Sequence, residues 1–108
     1  MSEDDLLTQL HNLVMATLEE GRKTSYSLDE RDRLNQEAKN IRKRLVLLRQ
    51  VQFDHNTSGY QQAGKDIGVI NGDLAQAKAR IDDLVTFLGN LATLAKALDE
   101  LLKAAIPS

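Results

Sequence analysis

Residues 60–105, YQQAGKDIGVINGDLAQAKARIDDLVTFLGNLATLAKALDELLKAA, carry an apolar residue at every position of a repeat that alternates steps of three and four. This spacing keeps one face of an α-helix apolar along its length, and a 3.5-residue period is typical of helices that supercoil around a partner. The apolar seam, our name for this face, comprises Tyr60, Ala63, Ile67, Ile70, Leu74, Ala77, Ile81, Leu84, Leu88, Leu91, Ala95, Leu98, Leu102 and Ala105. The seam predicts a long helix 3 over about residues 59–106.

Glycines within this segment oppose a continuous helix, because each costs a helix interior roughly 1 kcal/mol relative to alanine. A turn at residues 71–73, after which Asp73 caps a new helix, is one alternative, and a kink at Gly89 is another. A loop would usually shift the register of the seam, and the register is preserved at both places. We therefore expect helix 3 to be continuous or merely bent.

The spacing of three of these glycines is itself a signal. Gly64, Gly68 and Gly72 follow one another every four residues, so they share one helix face. Because a glycine has no side chain, such a face predicts the close approach of another helix backbone, or alternatively local flexibility for a binding event.

A shorter helix is predicted near the start of the chain. Ser2 with Asp5 three residues later resembles a capping box, although Glu or Gln is more usual at the second position. Apolar residues then recur at helical spacing until Gly21, which is typical of a helix end. Helix 1 is predicted over about residues 3–20.

A second helix begins with a stronger signal. Ser27 and Glu30 form a capping-box pattern, and residues 54–59 are rich in turn formers. Helix 2 is therefore predicted over about residues 28–53. Its apolar face reads Leu34, Ala38, Ile41, Leu45 and Leu48, and Val46, Leu47 and Val51 widen that face toward its end.

These elements predict an all-α fold, a three-helix antiparallel, coiled-coil-like bundle with a long C-terminal helix, in one helical domain of residues 1–108. The turn at 54–59 makes helix 2 run antiparallel along the first half of helix 3. The apolar seam of the second half then still has to be covered by another helix. Helix 1 covers it, or helix 1 folds back on helix 2 and another chain covers it. In either case we expect a partner, typically a second copy in a homodimer or larger oligomer. The predicted contact residues are Leu91, Leu94, Leu98, Leu101 and Leu102.

Composition argues against an enzyme. The chain has no cysteine and two histidines, His11 and His55, neither of which has a second ligand at helical metal spacing. Acidic pairs lie on or beside polar helix faces, where no burial raises a pKa for acid–base work. We expect no catalytic residue, no metal and no cofactor. The acidic start of the chain lacks the features of a signal peptide, so a cytoplasmic location is expected.

The most prominent polar feature is a basic cluster on helix 2, formed by Lys39, Arg42, Lys43, Arg44 and Arg49. It is a solvated face, a patch for an acidic protein, or a patch for nucleic acid phosphates. The formal net charge of −2 gives no overall attraction to nucleic acid or anionic lipid, and the balanced charge of helix 3 argues against a membrane partner.

Two functions remain open on the sequence. The first is a non-enzymatic protein–protein interaction module, of the adaptor, chaperone or inhibitor type, which uses the long amphipathic helix. The alternative is a small nucleic-acid-associated regulator that uses the basic cluster on helix 2. No motif in the sequence names a family.

Overall fold

The fold is all-α, as predicted, in a computed structural model that describes residues 5–76, 81 and 83–107. The described residues form four helices and two strands of two residues each. These elements are α1 (Asp5–Glu20), α2 (Leu28–Leu48), β1 (Val51–Gln52), α3 (Ser58–Gln76), α4 (Leu84–Ala104) and β2 (Ile106–Pro107). The prediction of three helices is therefore wrong, and a coiled-coil arrangement is not confirmed.

The helices pack in a ring, in which α1 contacts α2, α2 contacts α4, α4 contacts α3 and α3 contacts α1. Helices α3 and α4 run antiparallel, since Gly59 near the start of α3 lies against Leu101 near the end of α4. Helices α2 and α4 run parallel, and Val51 and Gln52 after α2 pair antiparallel with the residues that follow α4. The result measures 42 × 24 × 20 Å.

Helix α2 begins where its capping signal predicts. The Ser27 hydroxyl accepts a hydrogen bond from the Glu30 backbone N–H at 3.1 Å, and the Glu30 carboxylate accepts one from the Ser27 N–H at 2.8 Å. This reciprocal pair satisfies donors that a helix start leaves without partners. The predicted apolar face is confirmed as the buried face of α2, with Leu34, Ala38, Ile41, Leu45 and Leu48 in the core.

The end of α2 differs from the prediction. The helix stops at Leu48 rather than near residue 53, because residues 49–50 form a turn and Val51 then enters a short antiparallel ladder with Pro107. A β-branched valine suits this extended backbone. Val46 and Leu47 also depart from expectation, since both point outward instead of widening the buried face.

The predicted continuous helix 3 is wrong as well. Helix α3 ends at Gln76 and α4 begins at Leu84, and Gly72 lies inside α3, so the break is not at residues 71–73 either. The physical reason is burial. A straight helix of this length would leave half of its apolar seam exposed, whereas a reversal lets the two halves cover each other. Each of the seam positions that the structure describes is buried or half-buried, which excludes only Ala77.

A polar cap starts the second half of this hairpin. The Asp83 carboxylate accepts hydrogen bonds from the Thr86 hydroxyl at 2.6 Å and from the Thr86 backbone N–H at 3.0 Å. These bonds hold the pKa of Asp83 below its ordinary value. The ionised Asp83 cap therefore stabilises the folded protein above the ordinary pKa of an Asp. This stabilisation is lost as the pH falls through the lowered pKa of Asp83.

Helix α1 folds back on α2, which is the second of the two arrangements considered for helix 1. Its face of Leu6, Leu7, Leu10, Leu13 and Val14 is buried. The proposed Ser2 cap, and the predicted start at residue 3, lie outside the described residues.

A buried polar network joins the two hairpins at one end of the molecule. Glu20, only 6% exposed, pairs with Lys23 at 2.5 Å and accepts a hydrogen bond from the Tyr26 hydroxyl at 2.7 Å. The same hydroxyl accepts a hydrogen bond from the Ile81 backbone N–H at 2.5 Å. Tyr26 therefore links the α1–α2 turn to the connection between α3 and α4.

The glycine stripe of α3 does not contact another backbone. A Cβ atom built on Gly64, Gly68 or Gly72 would meet nothing within 4 Å, so the predicted close approach at these positions is wrong. Close approach occurs instead at Gly59, where a Cβ would lie 2.9 Å from the Leu101 backbone nitrogen and 3.2 Å from the Ala97 carbonyl oxygen.

We predict opposite effects of the same substitution at two glycines of α3. Gly68→Ala should raise the free energy of unfolding by roughly 0.5–1 kcal/mol, because alanine favours a helix and its methyl group meets open space. Gly59→Ala should lower it by about 1–3 kcal/mol, because the methyl group would force α4 away. Urea unfolding followed by circular dichroism measures both. Equal effects at the two positions would contradict the packing described for α3.

We also predict that Tyr26→Phe lowers the free energy of unfolding by about 1–3 kcal/mol, because it leaves a buried carboxylate and a buried N–H without the hydroxyl that serves both. The exposed neighbour Thr24 gives a matched control, and Thr24→Ala should stay within about 0.5 kcal/mol of the wild type. Thermal and urea unfolding of the three proteins test this. Wild-type stability in the Tyr26 variant would show that the network contributes nothing.

Candidate functional site

The leucines predicted to contact a partner lie inside the molecule. Leu91, Leu94, Leu98 and Leu101 are each 0% exposed, and Leu102 is half-buried against the same core. Helices of the same chain cover them, because the reversal between α3 and α4 folds the seam onto itself. In the folded chain these leucines are therefore not accessible to a partner, which would contact other residues.

Four members of the predicted basic cluster do lie on the surface. Lys39, Arg42, Lys43 and Arg49 are exposed; the first three lie on α2 outside its buried face, and Arg49 follows the end of the helix. We define the α2 face as the exposed residues Leu28, Asp29, Asp32, Gln36, Lys39, Arg42, Lys43, Val46 and Leu47.

Arg44 differs from the rest of the cluster. Its Nε donates to Asp99 Oδ1 at 2.8 Å and its Nη2 donates to Asp99 Oδ2 at 3.2 Å, while Nη1 donates to the Asn40 carbonyl oxygen at 2.9 Å. This two-point ion pair connects α2 to α4. Arg44 is therefore occupied in the fold, and the surface patch is smaller than the sequence suggests.

Three exposed cations of α2, Lys39, Arg42 and Lys43, differ from Arg33, which pairs with Asp29 at 3.6 Å. Within the described chain, no ion pair joins Lys39, Arg42 or Lys43 to an acidic group. The sequence has no Asp or Glu from residue 38 to residue 53. Cations near a helix C-terminus can offset the helix dipole, but that effect is confined to the last turn, and the last turn of α2 has no basic residue.

Apolar side chains lie among these cations. Val46 and Leu47 are each 44% exposed, and they follow Arg42 and Lys43 by four residues, so that each apolar residue lies beside a cation on the helix surface. The sequence signal was present in the spacing, because neither residue falls on the Leu34–Leu48 series that forms the core. The cations at this end of the α2 face attract acidic groups. The exposed apolar side chains favour contact with another surface, because such contact removes them from water.

Two other features lie at the end of the bundle where α3 begins. The rings of Phe53, His55 and Tyr60 pack together, with centroids 4.6 Å apart for His55 and Tyr60 and 5.7 Å apart for Phe53 and His55. No pattern in the sequence predicts this packing. Phe53 and Tyr60 are half-buried and pack against the hydrophobic core, while His55 is exposed.

A shallow groove of about 350 Å³ runs between α3 and α4. Its lining includes Gln62, Lys96 and Glu100, a mixture of polar groups in which the two charges lie four residues apart on one helix. In the portion of the chain that the structure covers, no group of three or more His, Asp or Glu side chains could hold a metal ion. None of the helices described is long and apolar enough to cross a membrane.

The α2 face is thus the most distinctive surface of the molecule, since it combines unpaired cations with exposed aliphatic groups. Comparison of the chain with protein-family profiles, with curated proteins and with solved structures finds no match.

Proposed function

We propose that the chain is a non-enzymatic protein-binding module that holds its partner against the α2 face. The observation that carries the proposal is the exposure of Val46 and Leu47 beside Arg42 and Lys43, which form no ion pair within residues 5–76, 81 and 83–107. The leucines of α4 do not contribute, because the fold already covers them.

Burial supports a protein as the partner. When another surface covers exposed aliphatic side chains, their removal from water stabilises the complex by about 25 cal/mol per Å² of apolar area buried. Side chains such as Lys39 and Lys43 then select a partner with acidic groups and speed its association. The partner surface that fits best carries acidic and apolar residues at helical spacing.

Nucleic acid binding is the second candidate, and the basic cluster is the reason to consider it. Phosphate binding requires several cations at once, and Arg44 is already paired with Asp99. Val46 and Leu47 would stay in water beside a phosphate backbone. The aromatic rings on which single-stranded bases stack are absent from the α2 face.

We predict that reversing two charges on the α2 face removes the partner. The variant Lys39→Glu/Lys43→Glu should retain at least tenfold less of each specifically bound protein than the wild type, when both are immobilised and exposed to an extract of the native cells. The matched control is Arg22→Glu/Lys65→Glu, which changes the same total charge at two exposed sites elsewhere. Quantitative mass spectrometry of the bound proteins gives the comparison.

Retention of the same proteins by the α2 variant and by the wild type would overturn the proposal. Heparin chromatography tests the second candidate, since several phosphate contacts make affinity strongly dependent on salt. Elution of the wild type below about 0.2 M salt argues against nucleic acid, and elution well above it, together with loss of retention in the α2 variant, would replace the protein partner with nucleic acid.

A further inference from the structure

We infer that the α2 face binds a second copy of itself, with the two α2 helices packed antiparallel across a two-fold axis. This inference rests on the proposed function, because it names the partner of the same surface. It follows from how charge and apolar groups are distributed along α2.

The two ends of the α2 face have opposite charge. In its first half Asp29 is paired with the exposed Arg33 at 3.6 Å, which leaves Asp32 as the exposed acid without an ion pair in the described part of the chain. Its second half exposes Lys39, Arg42 and Lys43. Apolar residues lie at both extremities. Leu28 at the start of the helix is 73% exposed, and Leu47 is exposed at the other end.

An antiparallel pair brings these unlike halves together. Across a two-fold axis that passes between residues 37 and 38, each residue of one helix faces a residue equally distant from that point on the other. Asp32 then faces Lys43 of the second copy, and Leu28 comes to the level of Leu47 and packs against Val46, which lies on the same side of the helix as Leu28. Each contact occurs twice, because the interface is the same patch on both molecules.

The facing residues are available for these contacts. Asp32 and Lys43 are exposed, and no ion pair joins either of them to another side chain within residues 5–76, 81 and 83–107. Leu28 occupies the first helical position after the Ser27 cap and takes no part in the core. The dimer therefore forms without repacking the bundle.

Competing arrangements are less favourable. A parallel pair in register would place Lys43 against Lys43 and Asp32 against Asp32, and like charges repel. Helix α2 has 21 residues, so the contact is about 30 Å long. One helix face of this length is smaller than a standard interface, which predicts a dimer with a dissociation constant of order 10–100 µM.

A charge exchange tests the pairing directly. The single variants Asp32→Lys and Lys43→Asp should each weaken self-association about tenfold or more, because each dimer then contains two like-charged pairs in place of two opposite ones. Mixing the two single variants should restore association, since the lysine at position 32 of one faces the aspartate at position 43 of the other. The double variant Asp32→Lys/Lys43→Asp should self-associate like the wild type.

Sedimentation equilibrium at about 50 mM salt, where screening is weak, measures these effects. The expected wild-type result at about 1 mM protein is a mass of twice 12.0 kDa. Lys65→Asp on α3 is the control for added negative charge and should leave the dimer intact. Circular dichroism of every variant checks that the fold is retained.

A wild type that stays monomeric at about 1 mM overturns the inference, as does a mixture of the single variants that fails to associate while the wild type dimerises. Neither result decides the proposed function. That function stands if the Lys39→Glu/Lys43→Glu variant loses proteins from the extract, and it fails if those proteins are retained, whatever the outcome for the dimer.

Discussion

The apolar seam of residues 60–105 is the constraint on which the structure depends. Because α1 packs on α2, the rest of the chain could cover only part of a straight seam, and the chain instead reverses within it so that the two halves bury each other. This reversal places α4 against both α3 and α2, with Phe87, Leu91 and Leu98 wholly buried in the core. Because α4 occupies that place, one side of α2 meets the core and the other is left as surface.

Sequence patterns predicted the features that depend on local chemistry. The Ser27–Glu30 capping box is such a feature, because its hydrogen bonds lie within one turn of helix. The buried face of α2 and the burial of the seam were also predictable, since helical spacing alone decides which residues share a face. The exposure of Lys39 and Lys43 follows from the same rule. These predictions hold regardless of how many helices the chain contains.

The reversal itself could not be predicted from the register of the seam. The connection between Gln76 and Leu84 spans residues 77–83, which is one heptad, so the apolar pattern continues in phase across the break. A preserved register therefore does not distinguish one long helix from two. The pairing of Arg44 with Asp99 was equally hidden, because it joins helices that become neighbours only after the reversal. Both features are decided by the packing of distant segments.

The short ladder of Val51–Gln52 with Ile106–Pro107 has a topological consequence. Paired strand residues lie about 5 Å apart, so the polypeptide that leaves the fold after residue 52 returns to almost the same point at residue 106. The segment between these residues, which includes the whole α3–α4 hairpin, therefore begins and ends at the same place in the molecule. The ladder therefore holds the two ends of the α3–α4 hairpin side by side, next to the end of α2.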